Sequence, residues 1–246
     1  MRALLVLSAL LFALPAAAGD VVVRDGRTLQ IGSTSYRLAG IDTPDMDQIC
    51  LNDRADPWAC GVGARDALAK LIGDRAVSCR DLGPDPSYKA RRLGACTIQG
   101  ETVSLGQQMV QQGFAINVPG KDRFAGDEAK ARIEHSGLWR GCFAAPQSFR
   151  RWDRDAVLLG ASCRDDKRAE TVELLFPART TMPPGCPIKG KFARRARLTG
   201  NVGVYHLQGC RSYAGNTKPD RWFCSEDDAK AAGFRRAYNC RAGAGN

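Results

Sequence analysis

Residues 23–45, VRDGRTLQIGSTSYRLAGIDTPD, decide how the chain begins to fold. Apolar and polar positions alternate with the period of two that marks half-buried strands. Turn signals at Asp25-Gly26 and Gly32-Ser33 cut the stretch into short pieces. The reading is a β-meander with strands over 20–25, 27–32 and 34–40. Three charges, Arg37, Asp42 and Asp45, then gather around the end of the third strand. They are either turn chemistry or part of a site.

Outward from there, Pro44 and Pro57 exclude regular structure from the next loop. Val62, Ala64, Leu68, Leu71 and Ile72 recur with near-3.6 periodicity, which predicts a helix over 61–73 stopped by Gly73. Strands are expected over 75–81 and 90–98, joined by a polar loop at 82–89, and helices over 104–113 and 127–137. The order βββ-α-ββ-αα is α+β, and five short strands interrupted by a helix fit a five-stranded β-barrel of the OB type with helices packed outside. That domain spans 20–152; a Pro/Gly-rich linker over 153–184 leads to a small disulfide-rich α+β module over 185–243.

The 246-residue chain carries a formal charge of +10, which points to a polyanionic partner such as nucleic acid or an anionic envelope surface, or else serves solubility. Residues 1–18 pair one basic residue with an apolar run and small residues before Gly19, the build of a secretory signal peptide, so the protein is expected to be exported, periplasmic or secreted. No later apolar run is long enough to span a membrane. All ten cysteines follow residue 18, and an even count in an oxidising compartment favours disulfides over metal sites.

The motifs D-G-x-T at 25–28, Y-R-L-x-G-I-D-T-P-D at 36–45, G-x-x-A at 61–64, R-x-L-x-A at 91–95 and G-L-W at 137–139 together resemble the thermonuclease, or staphylococcal nuclease-like, family over about residues 20–152. The resemblance implies an OB fold and an endonuclease that hydrolyses phosphodiesters of DNA and RNA with calcium. A phosphodiester is anionic and a poor electrophile, so such a site needs cations on the phosphate, a metal and a base. By motif, Arg37 and Arg91 would hold the scissile phosphate, where a planar guanidinium fork matches its oxygens. Asp42 and the Thr43 carbonyl would bind calcium, and Asp45 would serve as general base.

Two positions depart from that pattern. Asp45 stands where the family has the longer glutamate, and Arg27 replaces a calcium-binding aspartate. Unit charges 4 Å apart interact by about 4 kcal/mol at an effective dielectric of 20, and a divalent ion doubles this, so an inward Arg27 opposes calcium. Asp25 lies two residues back, roughly 6.6 Å along a strand, and does not substitute. Arg27 either points inward onto Asp42 as a cation in place of the metal, points outward beside a weak metal site, or marks lost catalysis. A non-catalytic phosphate or nucleic-acid binder and an envelope interaction module are therefore the alternatives to a nuclease.

Cys50 and Cys60 bracket a loop whose closure would remove about 2.5 to 3 kcal/mol of chain entropy, and Cys79 and Cys96 sit in adjacent strand candidates. The stretches GVYHLQGCRSY (203–213) and WFCSEDDAKAAGFRRAYNC (222–240) resemble the zinc-binding module of the adaptive-response DNA methyltransferase. His206, Cys210 and Cys240 fall on ligand positions of that module, while Ala237 occupies the fourth. With Cys224 these could form a His-Cys₃ zinc site, but the exported context favours disulfides Cys210–Cys240 and Cys186–Cys224, leaving Cys142 with Cys163. Ser225-x-x-Asp228 reads as a capping box opening a short helix that ends at Gly233. The basic run 189–197 is either a track for a phosphate backbone or a solvated loop.

Overall fold

The computed structural model describes residues 21–118, 120, 122–193, 202–214 and 218–240. The expected signal peptide at 1–18 and the second half of the basic run lie outside them. The first body opens with β1 (Val21–Asp25), β2 (Thr28–Ile31) and β3 (Thr34–Leu38), antiparallel neighbours as the alternation requires. The short strands β4 (Ile41–Asp42), β5 (Cys50–Leu51) and β6 (Pro57–Trp58) precede α1 (Cys60–Ile72). Then come β7 (Val77–Asp85), β8 (Tyr88–Ile98), α2 (Leu105–Gln111), β9 (Ile116–Asn117) and α3 (Ala125–Ile133).

The main sheet has the order β1-β2-β3-β8-β7. It is mixed, because β3 and β8 run parallel: a parallel neighbour needs a long crossover, and α1 lies within it. Leu29, Leu38, Ile41, Leu68, Ile98, Leu105 and Met109 fill the core between sheet and helices. The fold is α+β with disulfides, and the closed five-stranded barrel expected from the strand count is not seen among the described residues: the sheet ends at β1 on one side and β7 on the other.

The expected loop at 82–89 needs correction. Strands β7 and β8 pair almost to their turn, with register shifts between Asp81 and Asp85 that absorb Gly83 and Pro84. Bulges are where a strand tolerates these residues. The Ser87 N–H donates to Asp85 Oδ1 at 2.9 Å and closes the turn. Asp85 is thereby fully buried at the tip of the hairpin, facing the arginine-bearing strand.

The stretch expected as a linker is packed. After β10 (Phe143–Ala144) and α4 (Pro146–Arg151), β11 (Leu158–Leu159) pairs with β10, and α5 (Arg168–Leu175) sets Val172, Leu175 and Phe176 against Leu51, Cys142 and Phe149. Trp152 stands edge-on to Phe176 and touches Phe192, which carries the packing onward. The C-terminal module contains β12 (Ile188–Phe192), β13 (Gly203–His206), β14 (Arg221–Phe223), α6 (Glu226–Ala231) and β15 (Phe234–Arg236), with sheet order β14-β12-β13-β15. Ser225 caps α6 by accepting the Asp228 N–H at 3.1 Å, and Gly233 follows at φ 83°.

Disulfides join Cys50–Cys60, Cys79–Cys96, Cys142–Cys163, Cys186–Cys224 and Cys210–Cys240. The zinc-module resemblance finds no support: every cysteine it would use is bridged, and His206 Nδ1 instead meets Ser212 Oγ at 2.7 Å. Among the described residues no helix is long and apolar enough to cross a membrane.

The loop carrying Thr43 to Gln48 lies directly on α1. A Cβ on Gly61 would stand 1.8 Å from the Asp45 carbonyl oxygen, and one on Gly26 would stand 2.8 Å from Ala64 Cβ. Small residues on this helix face therefore set how deep the loop sits. Gly61→Ala is expected to destabilise the protein by about 1 to 3 kcal/mol, read as a lowered urea midpoint, because backbone rather than a flexible side chain must give way.

Candidate functional site

Asp42 ends β4, held by pairing with Ile116 in β9, and its carboxylate is buried. Its Oδ1 accepts the Thr43 N–H at 3.1 Å. Arg27 enters from the turn between β1 and β2. Its own N–H donates to Asp25 Oδ1 at 2.8 Å, an Asx turn that fixes the backbone and sends the side chain inward. Arg27 then forms an ion pair with Asp42 Oδ1 and reaches Asp45 Oδ1 at 3.4 Å. Of the orientations open from sequence, the inward one is adopted.

Two further arginines complete the cluster. Arg150, in the last turn of α4, pairs with Asp42 Oδ2 and with Asp45 Oδ1 at 3.2 Å. Arg221, in β14, is 1% exposed; it meets Asp45 Oδ2 at 3.0 Å and grips Asp47 through Nε and Nη2 at 2.8 and 2.9 Å. Its guanidinium also lies 4.8 Å from the centre of the Phe149 ring. Both oxygens of Asp42 and both of Asp45 thus carry guanidinium contacts.

The electrostatics follow from this enclosure. Burial pushes Arg27 down to about 9, assisted by the neighbouring charge of Arg150 and resisted by Asp45, so it stays cationic at neutral pH. Burial acting on Asp45 would raise it, but Arg150, Arg221 and Arg27 together hold it down to about 2. Calcium takes six to eight oxygens, several of them ionised carboxylates with lone pairs to give. Each oxygen of Asp42 and Asp45 already faces a guanidinium, and among the described residues no cluster of three or more His, Cys, Asp or Glu is arranged to hold a metal. This donor set does not fit calcium.

The expected phosphate-binding pair does come together, around a carboxylate that the sequence reading did not single out. Arg91 donates to Asp85 Oδ2 through Nε at 2.8 Å, and Arg37 Nη1 reaches Asp85 Oδ1 at 3.4 Å. Burial would raise Asp85, but the Ser87 N–H, Arg91 and Arg37 hold it low. The C-terminal module covers this side. Asp228 of α6 stands 3.9 Å from Arg91 Nη1, and Arg91 is only 3% exposed. A cavity of about 40 Å³, room for little more than a water or two, is left between Arg27, Asp45, Arg91, Arg150, Arg221 and Asp228.

Arg150, Arg221, Asp47, Asp85 and Asp228 were not read as site residues. Asp85 had a local signal, since Asp-Pro-Ser is turn chemistry that can aim a carboxylate. Arg150 and Arg221 had none: they reach the site across 105 and 174 or more residues of chain.

Residues 35–141 match the family described as Staphylococcal nuclease homologue. The match covers under half of the 246 residues, and this part of the chain is a staphylococcal nuclease-like domain. The chain is also similar to the succinoglycan biosynthesis protein ExoI of Rhizobium meliloti (strain 1021), at 29% identity over 125 residues. That alignment covers 50% of this chain, and the chain spans 64% of the relative's length. Arg37, Asp42, Thr43, Asp45, Asp85 and Arg91 lie inside the matched domain, whereas the three arginines that pair with Asp42 and Asp45, namely Arg27, Arg150 and Arg221, lie outside it.

Burial, and then the charge of Asp25, push the Asp228 carboxyl up to about 6, against the Ser225 hydroxyl and Arg91 that favour its ionised form. A carboxyl whose folded pKa lies above its unfolded value near 3.8 stabilises fully below 3.8 and loses that contribution as pH rises through 6. Asp228→Asn should therefore gain stability relative to the parent at pH 7 to 8, by up to about 3 kcal/mol, with the difference vanishing below pH 4. Urea denaturation across this range checks the sign.

Proposed function

We propose that the protein binds single-stranded nucleic acid through its arginine-lined cleft and does not hydrolyse it with calcium. The observation that carries this reading is the double occupation of Asp42 by Arg27 and Arg150. The two carboxylates that would serve a metal are neutralised by permanent cations. A base held at about 2 also has little driving force to take a proton from water. What remains of the nuclease-like chemistry is a cationic cleft on a basic protein, with Arg37 partly exposed and Arg91 enclosed behind it, within a domain of the staphylococcal nuclease type. Five disulfides support a working place in an oxidising, exported compartment.

Labelled single-stranded DNA and RNA incubated with the oxidised protein test this, with calcium or with chelator. Binding that weakens as salt rises, unaltered by calcium and without cleavage, is the expected result. Calcium-dependent cleavage, or no binding to either strand at low salt, overturns it. Because Arg150 and Arg221 remain on the same carboxylates, Arg27→Asp alone should not create calcium-dependent cleavage, measured on the same substrates.

A further inference from the structure

The buried cluster is closed, but beside it lies an open groove of about 370 Å³. Arg37, Gln147, Arg150 and Arg151 line it together with the apolar Val118 and with Val202, Ala231 and Ala232 of the C-terminal module. We propose that this groove is a phosphate-ester site that seats one nucleotide of a bound strand, with the phosphate on the three arginines and Gln147 and the apolar remainder against the valine and alanine side chains. The proposal rests on the nucleic-acid reading above and names where that binding occurs.

Charge is the first support. Among the described residues Asp42 is the only carboxylate lining the groove, and both its oxygens are already engaged by Arg27 and Arg150. Arg151 forms no ion pair among the described residues, and Gln147 donates no side-chain hydrogen bond there. Arg37 is held weakly: its one ion-pair contact to Asp85 is 3.4 Å long, and Arg91 takes the same carboxylate at 2.7 Å. An oxyanion here would meet the donors of Arg151 and Gln147, which the described residues leave unused.

Size and access are the second. Ligand sites commonly enclose about 300 to 1,000 Å³, and a lining that combines cationic and apolar side chains suits an amphipathic nucleotide. Among the described residues the groove is open, whereas Arg91 is covered by α6. In the competing basic track, the described lysines are already engaged. In its described part Lys191 pairs with Asp220 at 2.5 Å, and Lys189 donates to the Tyr213 carbonyl at 2.9 Å while lying over the Tyr213 ring.

The test uses the full oxidised chain with two probes, thymidine 5′-monophosphate and a fluorescein-labelled oligothymidylate, and the variants Arg151→Ala, Arg151→Lys and Gln147→Ala. Arg54→Ala serves as a remote charge control, since that side chain is 82% exposed. Arg151→Ala should weaken both probes about tenfold and lower the salt slope for the oligomer by about one, with unchanged thermal unfolding. Arg151→Lys should recover part of the affinity, and Arg54→Ala should match the parent. If the parent binds the oligomer and both Arg151→Ala and Gln147→Ala bind it equally well, the groove assignment is overturned and the nucleic-acid reading stands. Mononucleotide binding that is lost in Arg151→Ala, in a protein that ignores the oligomer, supports the groove as a phosphate site and overturns the strand reading. Binding of neither probe overturns both.

Discussion

The carboxylate of Asp42, held between Arg27 and Arg150, is the contact on which the rest of the site depends. It joins three parts of the chain: the meander turn, the loop laid on α1, and the helix that follows the nuclease-like domain. A buried carboxylate left without these partners would cost several kcal/mol, so none of the three parts can move independently of the others. Arg221 extends the arrangement to a fourth part by gripping Asp47 and Asp45 from β14. The C-terminal module is therefore bound to the domain through the site itself, by charge-assisted hydrogen bonds that are shielded from solvent.

Guanidinium in place of a divalent ion changes what the cleft can do. A metal offers open coordination positions, polarises a bound oxygen and acidifies a water; a guanidinium is a fixed fork of donors that does none of these. It does keep the capacity to hold an oxyanion, and keeps it without regard to metal supply. The cost falls on the base. With three cations around it, Asp45 is stabilised as a carboxylate so strongly that its proton affinity drops to a pKa of about 2. The arrangement that secures the fold at this point is the one that sets cations where a metal would need free carboxylate oxygens.

Local features were legible in the sequence where local physics decides them. The alternation in 23–45 becomes β1 to β3, the periodicity near 61–73 becomes α1, and Ser225 caps α6 as its spacing suggests. The hairpin of β7 and β8 ran past its expected ends because bulges accommodate Gly83 and Pro84, which read as loop residues. The stretch 153–184 looked like a linker because its apolar residues are few, yet Val172, Leu175 and Phe176 reach a cluster built elsewhere. The direction of Arg27 was open because strand alternation ends at a turn; the Asp25 side chain settles it. Arg150 and Arg221 were invisible for a different reason: nothing near them in sequence distinguishes an arginine that crosses to another element from one that stays in water.

That last difference also bears on what the nuclease-like motif, taken alone, leaves out: the arginines that occupy its carboxylates. The motif residues from Arg37 to Arg91 occupy their places within the matched domain, and read in isolation they describe a metal site with a base and two phosphate clamps. The charge around these carboxylates is set by one residue ahead of the matched stretch, Arg27 in D-G-R-T, and two behind it: Arg27 and Arg150 contact both Asp42 and Asp45, and Arg221 contacts Asp45. Any one of them would weaken a metal; three leave no ionised oxygen of that pair for it. Because they act on shared partners their effects are not additive, and the site behaves as a unit whose function is set by the full set of arginines rather than by any single departure.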